Sequence, residues 1–150
     1  MITKNRALFI DRDGTINRDC PYCHKITDLH IYNDAVELMK DFQDRGYLII
    51  IVTNQSGIDR RYFTVSQFQE FTGSLLNELR KQGIHVNGLY YCPHTPEAEC
   101  NCRKPKTAMI DQAALDFNIN LDDSFVVGDR DDLEGEMARR LGIPYRIMVH

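Results

Sequence analysis

Ala7-Leu-Phe-Ile10 runs directly into Asp11-Arg-Asp13-Gly-Thr15, so a short apolar stretch ends abruptly in a polar turn. Two of its four apolar positions are β-branched or aromatic, and Asp and Gly are turn formers, which predicts a buried strand that stops at Asp11. A continuous apolar run with no polar alternation is the pattern of a strand covered on both faces. Working outward, Tyr47-Leu-Ile-Ile-Ile-Val-Thr53 repeats that pattern at greater length, and Gly88–Cys92, Ser124–Gly128 and Tyr145–Val149 are shorter versions of it.

Helical patterns separate these strands. From Asp34 to Asp44, Ala35, Leu38, Met39 and Phe42 fall at i, i+3, i+4 and i+7, with Asp34 as the expected N-cap and Gly46 as the stop. Further helices are expected over Thr64–Gln82, Thr107–Phe117 and Glu134–Leu141. Strand–helix alternation with short connections predicts an α/β fold, a three-layer Rossmann-like parallel sheet wrapped by helices. The whole of 1–150 reads as one domain. Asn17–Tyr32 is the longest aperiodic segment, and an irregular connection of that length in a small domain is usually a functional loop.

Composition narrows the function classes. With 18 Lys and Arg against 22 Asp and Glu, the formal charge is −4, which argues against a general nucleic-acid partner because such a protein needs a basic field. No apolar run approaches the roughly 20 residues of a membrane helix, so no membrane partner is expected. Met1-Ile-Thr-Lys-Asn-Arg6 lacks a signal-peptide layout, so a cytoplasmic protein is expected, as a monomer or small homo-oligomer. In that setting the five cysteines suggest metal ligands or free thiols before disulfides.

In a doubly wound sheet, ligands sit at the carboxyl ends of the strands. The first strand is followed by Asp11 and Asp13, the second by Thr53-Asn54-Gln55-Ser56-Gly57, the third by a Cys/His run and Arg103-Lys104-Pro105, and the fourth by Asp129-Arg130-Asp131-Asp132. Carboxylates gathered on one edge repel unless a cation sits among them, and hard oxygen ligands suit Mg²⁺. Phosphoryl transfer to a carboxylate fits such a set, because Mg²⁺ and a Lys would offset the charge of the phosphate and a second acid would move the protons. Taken alone, Asp-x-Asp-Gly is also an ordinary turn. It is not a calcium-binding EF-hand loop, since Thr15 and Ile16 stand where that loop needs an acid or amide and a Gly.

Phe9-Ile-Asp11-Arg-Asp13-Gly-Thr-Ile16 resembles the first motif of the haloacid dehalogenase (HAD) superfamily, and Thr53, Lys104 and Gly128-Asp129 resemble its second, third and fourth motifs, in order and at strand ends. The resemblance implies a small phosphorylated metabolite as substrate, with Asp11 as nucleophile and Asp13 as general acid/base. It implies Mg²⁺ held by Asp11, the Asp13 backbone carbonyl and Asp129, with Thr53 and Lys104 on the phosphoryl group. The fourth motif often carries a second acid four residues on, where this chain has Leu133, so Asp132 or Asp131 is expected to do that job for Mg²⁺.

Cys92-Pro-His94-Thr-Pro-Glu-Ala-Glu-Cys100-Asn-Cys102 holds three thiols and an imidazole within eleven residues, a donor set for a closed, structural Zn²⁺ site. It ends just before Lys104 and would fix where that side chain points. The run resembles the HAD branch of D-glycero-D-manno-heptose-1,7-bisphosphate phosphatases and histidinol-phosphate phosphatases, which have almost no cap domain. Val52–Ile58, Arg60, Phe63-Thr64 and Tyr90–His94 look more like the heptose enzymes, and the five residues between His94 and Cys100 look more like the histidinol-phosphate enzymes. Asn54, Arg60 and Arg103 are candidates for substrate contact, Arg103 for a second anionic group. Polynucleotide 3′-phosphatases have similar motifs, and a non-catalytic zinc-clipped domain or a thiol oxidoreductase built on Cys20-Pro-Tyr-Cys23 are readings from other classes. The Cys20/Cys23 pair lies in an irregular loop with no helix pattern after it, unlike a thioredoxin-type pair, so a loop contact near the substrate is the expected role.

Overall fold

The computed structural model describes residues 3–150; Met1 and Ile2, the start of the N-terminal run, lie outside the described residues. All four residues of β1 (Ala7–Ile10) are buried, because the strand has a packed layer on each side. Leu8 and Ile10 join one apolar cluster and Ala7 and Phe9 the other. In β2 (Leu48–Asn54) the same division puts Ile49 and Ile51 with the first cluster and Ile50 and Val52 with the second. Side chains alternate faces as in any strand. The alternation is invisible in sequence because both faces need apolar residues.

The other elements are α1 (Asn33–Asp44), α2 (Val65–Lys81), β3 (Gly88–Cys92), α3 (Ala108–Asp116), β4 (Phe125–Gly128), α4 (Glu136–Leu141) and β5 (Tyr145–Ile147). The five strands form one parallel sheet in the order β3-β2-β1-β4-β5. Residues of α1 and α2, including Met39, Phe42, Leu75 and Leu79, fill the cluster on one face, and those of α3 and α4, including Ile110, Ala113, Met137 and Ala138, fill the other. This is the expected three-layer arrangement. The chain winds from β1 outward to β3, then returns to the far side of β1 to lay down β4 and β5, so the direction reverses between β1 and β4. Crevices form at the carboxyl ends of strands at such a reversal.

Register places the strand ends in step there: Ile10 pairs with Val127, and the Asp11 N–H donates to the Val127 carbonyl at 3.0 Å. Thr64 caps α2, its hydroxyl accepting the Gln67 N–H while the Gln67 side chain accepts the Thr64 N–H. Two expectations shift. Tyr32, not Asp34, precedes the first turn of α1, and Asp34 sits inside that turn, where its charge suits the helix N-terminus. The helix expected from Glu134 is interrupted: Asp131–Gly135 form a π-helical turn and α4 begins only at Glu136. The aperiodic loop contains a single 3₁₀ turn, Ile26–Asp28, and is pinned across its base by a bridge from Asn17 to Ile31. Among the described residues there is no second sheet and so no cap domain of that kind.

Candidate active site

The ends of β1, β2 and β4 and the segment after β3 converge on an open cleft of about 390 Å³, lined by Asp11, Asp13, Thr53, Asn54, Arg103, Lys104, Asp129 and Glu134 among others. Lys104 is buried, and its ammonium donates to Asp11 Oδ1 at 2.7 Å and to the Val52 carbonyl at 3.0 Å. The Thr15 hydroxyl donates to Asp11 Oδ2 at 3.2 Å and lies 3.5 Å from Asp129 Oδ1. Gly14 has φ +86°, and a Cβ there would fall 2.2 Å from Asp129 Oδ2, so the turn can bring the two acids together only with Gly at this position.

Of the acids that follow Asp129, neither Asp131 nor Asp132 lines the cleft. Asp132 is 66% exposed and paired with Arg130 at 2.6 Å, and Asp131 is paired with Arg139 at 3.0 Å. Glu134 takes the place instead, with its side chain 1% exposed, 3.0 Å from Lys104 Nζ, and grouped with Asp11 and Asp129. The π-helical turn explains the spacing, because it adds a residue to the helical repeat and carries the inward position from Leu133 to Glu134. Glu134 lies flat against Gly128, where a Cβ would meet its side-chain atoms at 2.1–2.4 Å. The sequence carried one overlooked sign, an acid between Leu133 and Gly135 one residue past the expected spacing.

Asp13 is held on both oxygens. Arg12 Nε and Asn17 Nδ2 donate to Oδ1 at 2.9 and 3.0 Å, and Arg12 Nη2 and Gln55 Nε2 donate to Oδ2 at 2.9 Å each. Thr53 is buried and its hydroxyl accepts from Gln55 at 3.0 Å. Asn54 lines the cleft, but its amide is occupied by the Lys104 backbone, accepting that N–H at 3.0 Å. Arg103, a candidate for substrate contact, lines the cleft. Arg60 does not: it is exposed, does not line the cleft and leans on Ser56 Oγ at 3.4 Å. Arg130, Asp19, Pro21 and Tyr22 do line it; the loop around Cys20 and Cys23 is expected near the substrate, but nothing in the sequence singles out these individual residues.

Below the cleft, Cys92, His94, Cys100 and Cys102 turn their donor atoms toward one another, all within 4.8 Å. A tetrahedral Zn²⁺ with Zn–S bonds of about 2.3 Å has sulfur–sulfur edges of about 3.8 Å. Cys92–Cys100 at 3.5 Å and Cys100–Cys102 at 3.7 Å are close to that, while Cys92–Cys102 at 2.6 Å is tighter. Against the expectation of metal ligands or free thiols, Cys20 and Cys23 are joined as a disulfide in the loop at the cleft, with Pro21 and Tyr22 between them lining it.

The family model described as polynucleotide kinase 3 phosphatase matches residues 9–138. The chain belongs to this HAD-like phosphatase family. A protein of Thermoplasma volcanium named probable D-glycero-D-manno-heptose-1,7-bisphosphate 7-phosphatase is 54% identical to it, over 97% of this chain and 99% of the relative. The D-glycero-beta-D-manno-heptose-1,7-bisphosphate 7-phosphatase of Haemophilus ducreyi is 42% identical over 96% of this chain and 82% of its own length. The fold matches that of a D,D-heptose 1,7-bisphosphate phosphatase from B. bronchiseptica, solved with magnesium and phosphate, at a TM-score of 0.86 and 23% identity, covering 95% of this chain and 79% of that one.

The electrostatics of the phosphatase site favour a cation among its acids. Burial, and after it the Asp11 charge, push Asp129 up to about 6. Burial and then Asp11 push Glu134 up to about 7, against the pull of Lys104. Burial alone would lower the Lys104 ammonium, but Asp11 and then Glu134 outweigh it and the net shift is upward. Glu134 is within ion-pair distance of Lys104, yet neither of its oxygens receives a well-directed hydrogen bond. A buried carboxylate with free lone pairs beside two other acids is a poor arrangement without a cation, and three hard oxygen donors within 4.8 Å fit Mg²⁺.

Proposed function

We propose that this phosphatase hydrolyses D-glycero-D-manno-heptose 1,7-bisphosphate at the C7 ester through a phospho-aspartyl intermediate on Asp11. The observation that carries the reading is the contact of Asp11 with Lys104 at 2.7 Å among clustered acids, in a chain 54% identical to a relative named for that activity. Asp11 attacks phosphorus, the bond to the sugar oxygen breaks, and Asp13 gives that oxygen its proton. Water then attacks the phospho-aspartate and returns a proton to Asp13, which frees phosphate. Lys104 and Thr53 hold the phosphoryl oxygens. Asp11, Asp129 and the Asp13 carbonyl, with Glu134 beside them, would hold Mg²⁺, which would offset the charge of the phosphoryl group. Arg103 and Arg130 line the cleft and are the cations available to a second phosphate of the substrate.

Zn²⁺ in the Cys92–His94–Cys100–Cys102 set is structural on this reading, since four protein ligands leave no open position. The protein is taken to work in the cytoplasm on a small phosphate ester. Histidinol phosphate remains the alternative from the zinc-loop length, and the description of the family model favours a 3′-phosphorylated polynucleotide as a third substrate. A screen of the three compounds with Mg²⁺ tests the proposal: turnover is expected to be highest on the heptose bisphosphate and undetectable in Asp11→Asn. Preference for either other ester, or full turnover in Asp11→Asn, would overturn it.

A further inference from the structure

Arg12 has no exposed surface and does not line the cleft, so it cannot touch substrate. Burying a guanidinium is unfavourable unless its donors are matched and its charge is met. Here Nε and Nη2 form a two-pronged pair with both oxygens of Asp13 at 2.9 Å each. The outer edge is anchored away from the site: Nη1 donates to Thr72 Oγ1 of α2 at 3.2 Å and Nη2 to the Cys23 carbonyl at 3.3 Å. The guanidinium also lies 4.6 Å from the Phe71 ring and 5.5 Å from that of Phe68. A planar guanidinium paired at two points fixes the plane of the carboxylate as well as its place, which a lysine ammonium cannot do.

We propose that Arg12 is a positioning residue for the proton transfer, its guanidinium carrying the rigidity of α2 and of the Cys20–Cys23 loop to the orientation of the Asp13 carboxyl. The proposal rests on the reading of Asp13 as general acid. As the phosphorus–oxygen bond breaks, the proton moves from Asp13 to the leaving oxygen, and Arg12 keeps all of its own protons. Misaligning Asp13 should therefore slow phospho-enzyme formation in proportion to the leaving group's need for a proton.

The test uses the Mg²⁺-saturated, zinc-loaded protein in excess over substrate. It follows release of the leaving group from the heptose bisphosphate, an alkyl ester, and from p-nitrophenyl phosphate, whose phenolate leaves without protonation. In Arg12→Lys the alkyl ester is expected to slow by about 100-fold, the aryl ester by less than about tenfold, with KM nearly unchanged. Thr72→Val, which removes one anchor and keeps the ion pair, should show the same bias on a smaller scale and decides the matter where Arg12→Lys fails to fold. Equal slowing of both esters, or none, in the variants that fold overturns the proposal, since a merely structural role has no leaving-group bias. Asp13→Asn run alongside separates the two ideas: bias there without bias in the Arg12 and Thr72 variants removes only the positioning role. No bias in Asp13→Asn removes the general acid, and the proposal with it.

Discussion

Residue by residue, the acids of this site behave according to what surrounds them, not according to their spacing. Asp129 and Asp132 are three residues apart, yet one is half-buried beside Asp11 and the other is exposed against Arg130. Glu134 is the acid with free buried oxygens, and it is the one that should matter to the cation. Glu134→Gln is expected to raise the Mg²⁺ concentration needed for half-maximal turnover by about tenfold or more, while Asp132→Asn leaves it unchanged. A Mg²⁺ titration of turnover in the two variants checks this. The ends of β1 and β4 were legible because the functional groups there follow directly after the strand. Glu134 was not, because a π-helical turn is written in no single residue.

At the scale of elements, the site depends on two segments that are themselves neither helix nor strand. The Lys104 segment is held by the Cys/His cluster on one side and by Asn54 on the other, which bonds its backbone N–H at 3.0 Å. If the cluster holds zinc, the loop is closed by metal–ligand bonds and its loss should free Lys104. Cys102→Ser is expected to reduce bound zinc from about one per chain to a small fraction and turnover by about tenfold to 100-fold. Metal analysis beside turnover assays measures both, and undiminished turnover in zinc-free protein would dissociate the clip from Lys104. The second segment, residues 17–32, was recognisable as functional by its length alone. What it does over the cleft, bringing Asp19, Pro21 and Tyr22 to the rim, depends on contacts with distant residues and could not be read from its composition.

For the molecule as a whole, the site's charge couples to stability. Asp129 and Glu134 have folded-state pKa values raised to about 6 and about 7, so in Mg²⁺-free protein their contribution is present below the unfolded values near 4 and is lost as pH rises through 6 to 7. The exposed acids Asp116, Asp131, Asp132 and Glu136 are lowered, chiefly by hydrogen bonds to Tyr90, Arg139, Arg130 and Arg140, and their contribution is lost instead as pH falls below about 4. Mg²⁺-free protein should therefore be most stable at about pH 4 to 4.5 and lose stability from there to about pH 7. Added Mg²⁺ should stabilise more at pH 7.5 than at pH 5, the total reaching about 2.7 kcal/mol where its concentration is 100 times the Kd that holds at that pH. Thermal unfolding with and without Mg²⁺ at the two pH values tests the sign, and equal stabilisation at both would remove the acids from the cation site. The sequence by itself determined the layer architecture, because continuous apolar runs alternating with amphipathic helices have few ways to bury themselves. It also determined the identity of the groups at each strand end, since these are fixed by covalent succession. Only the tertiary structure decided that Glu134 turns inward, that Arg60 stays outside and that a buried Arg12 grips Asp13. Those outcomes depend on which distant surfaces meet, and the free energy of burying a charge is set by neighbours that adjacency in the chain does not name.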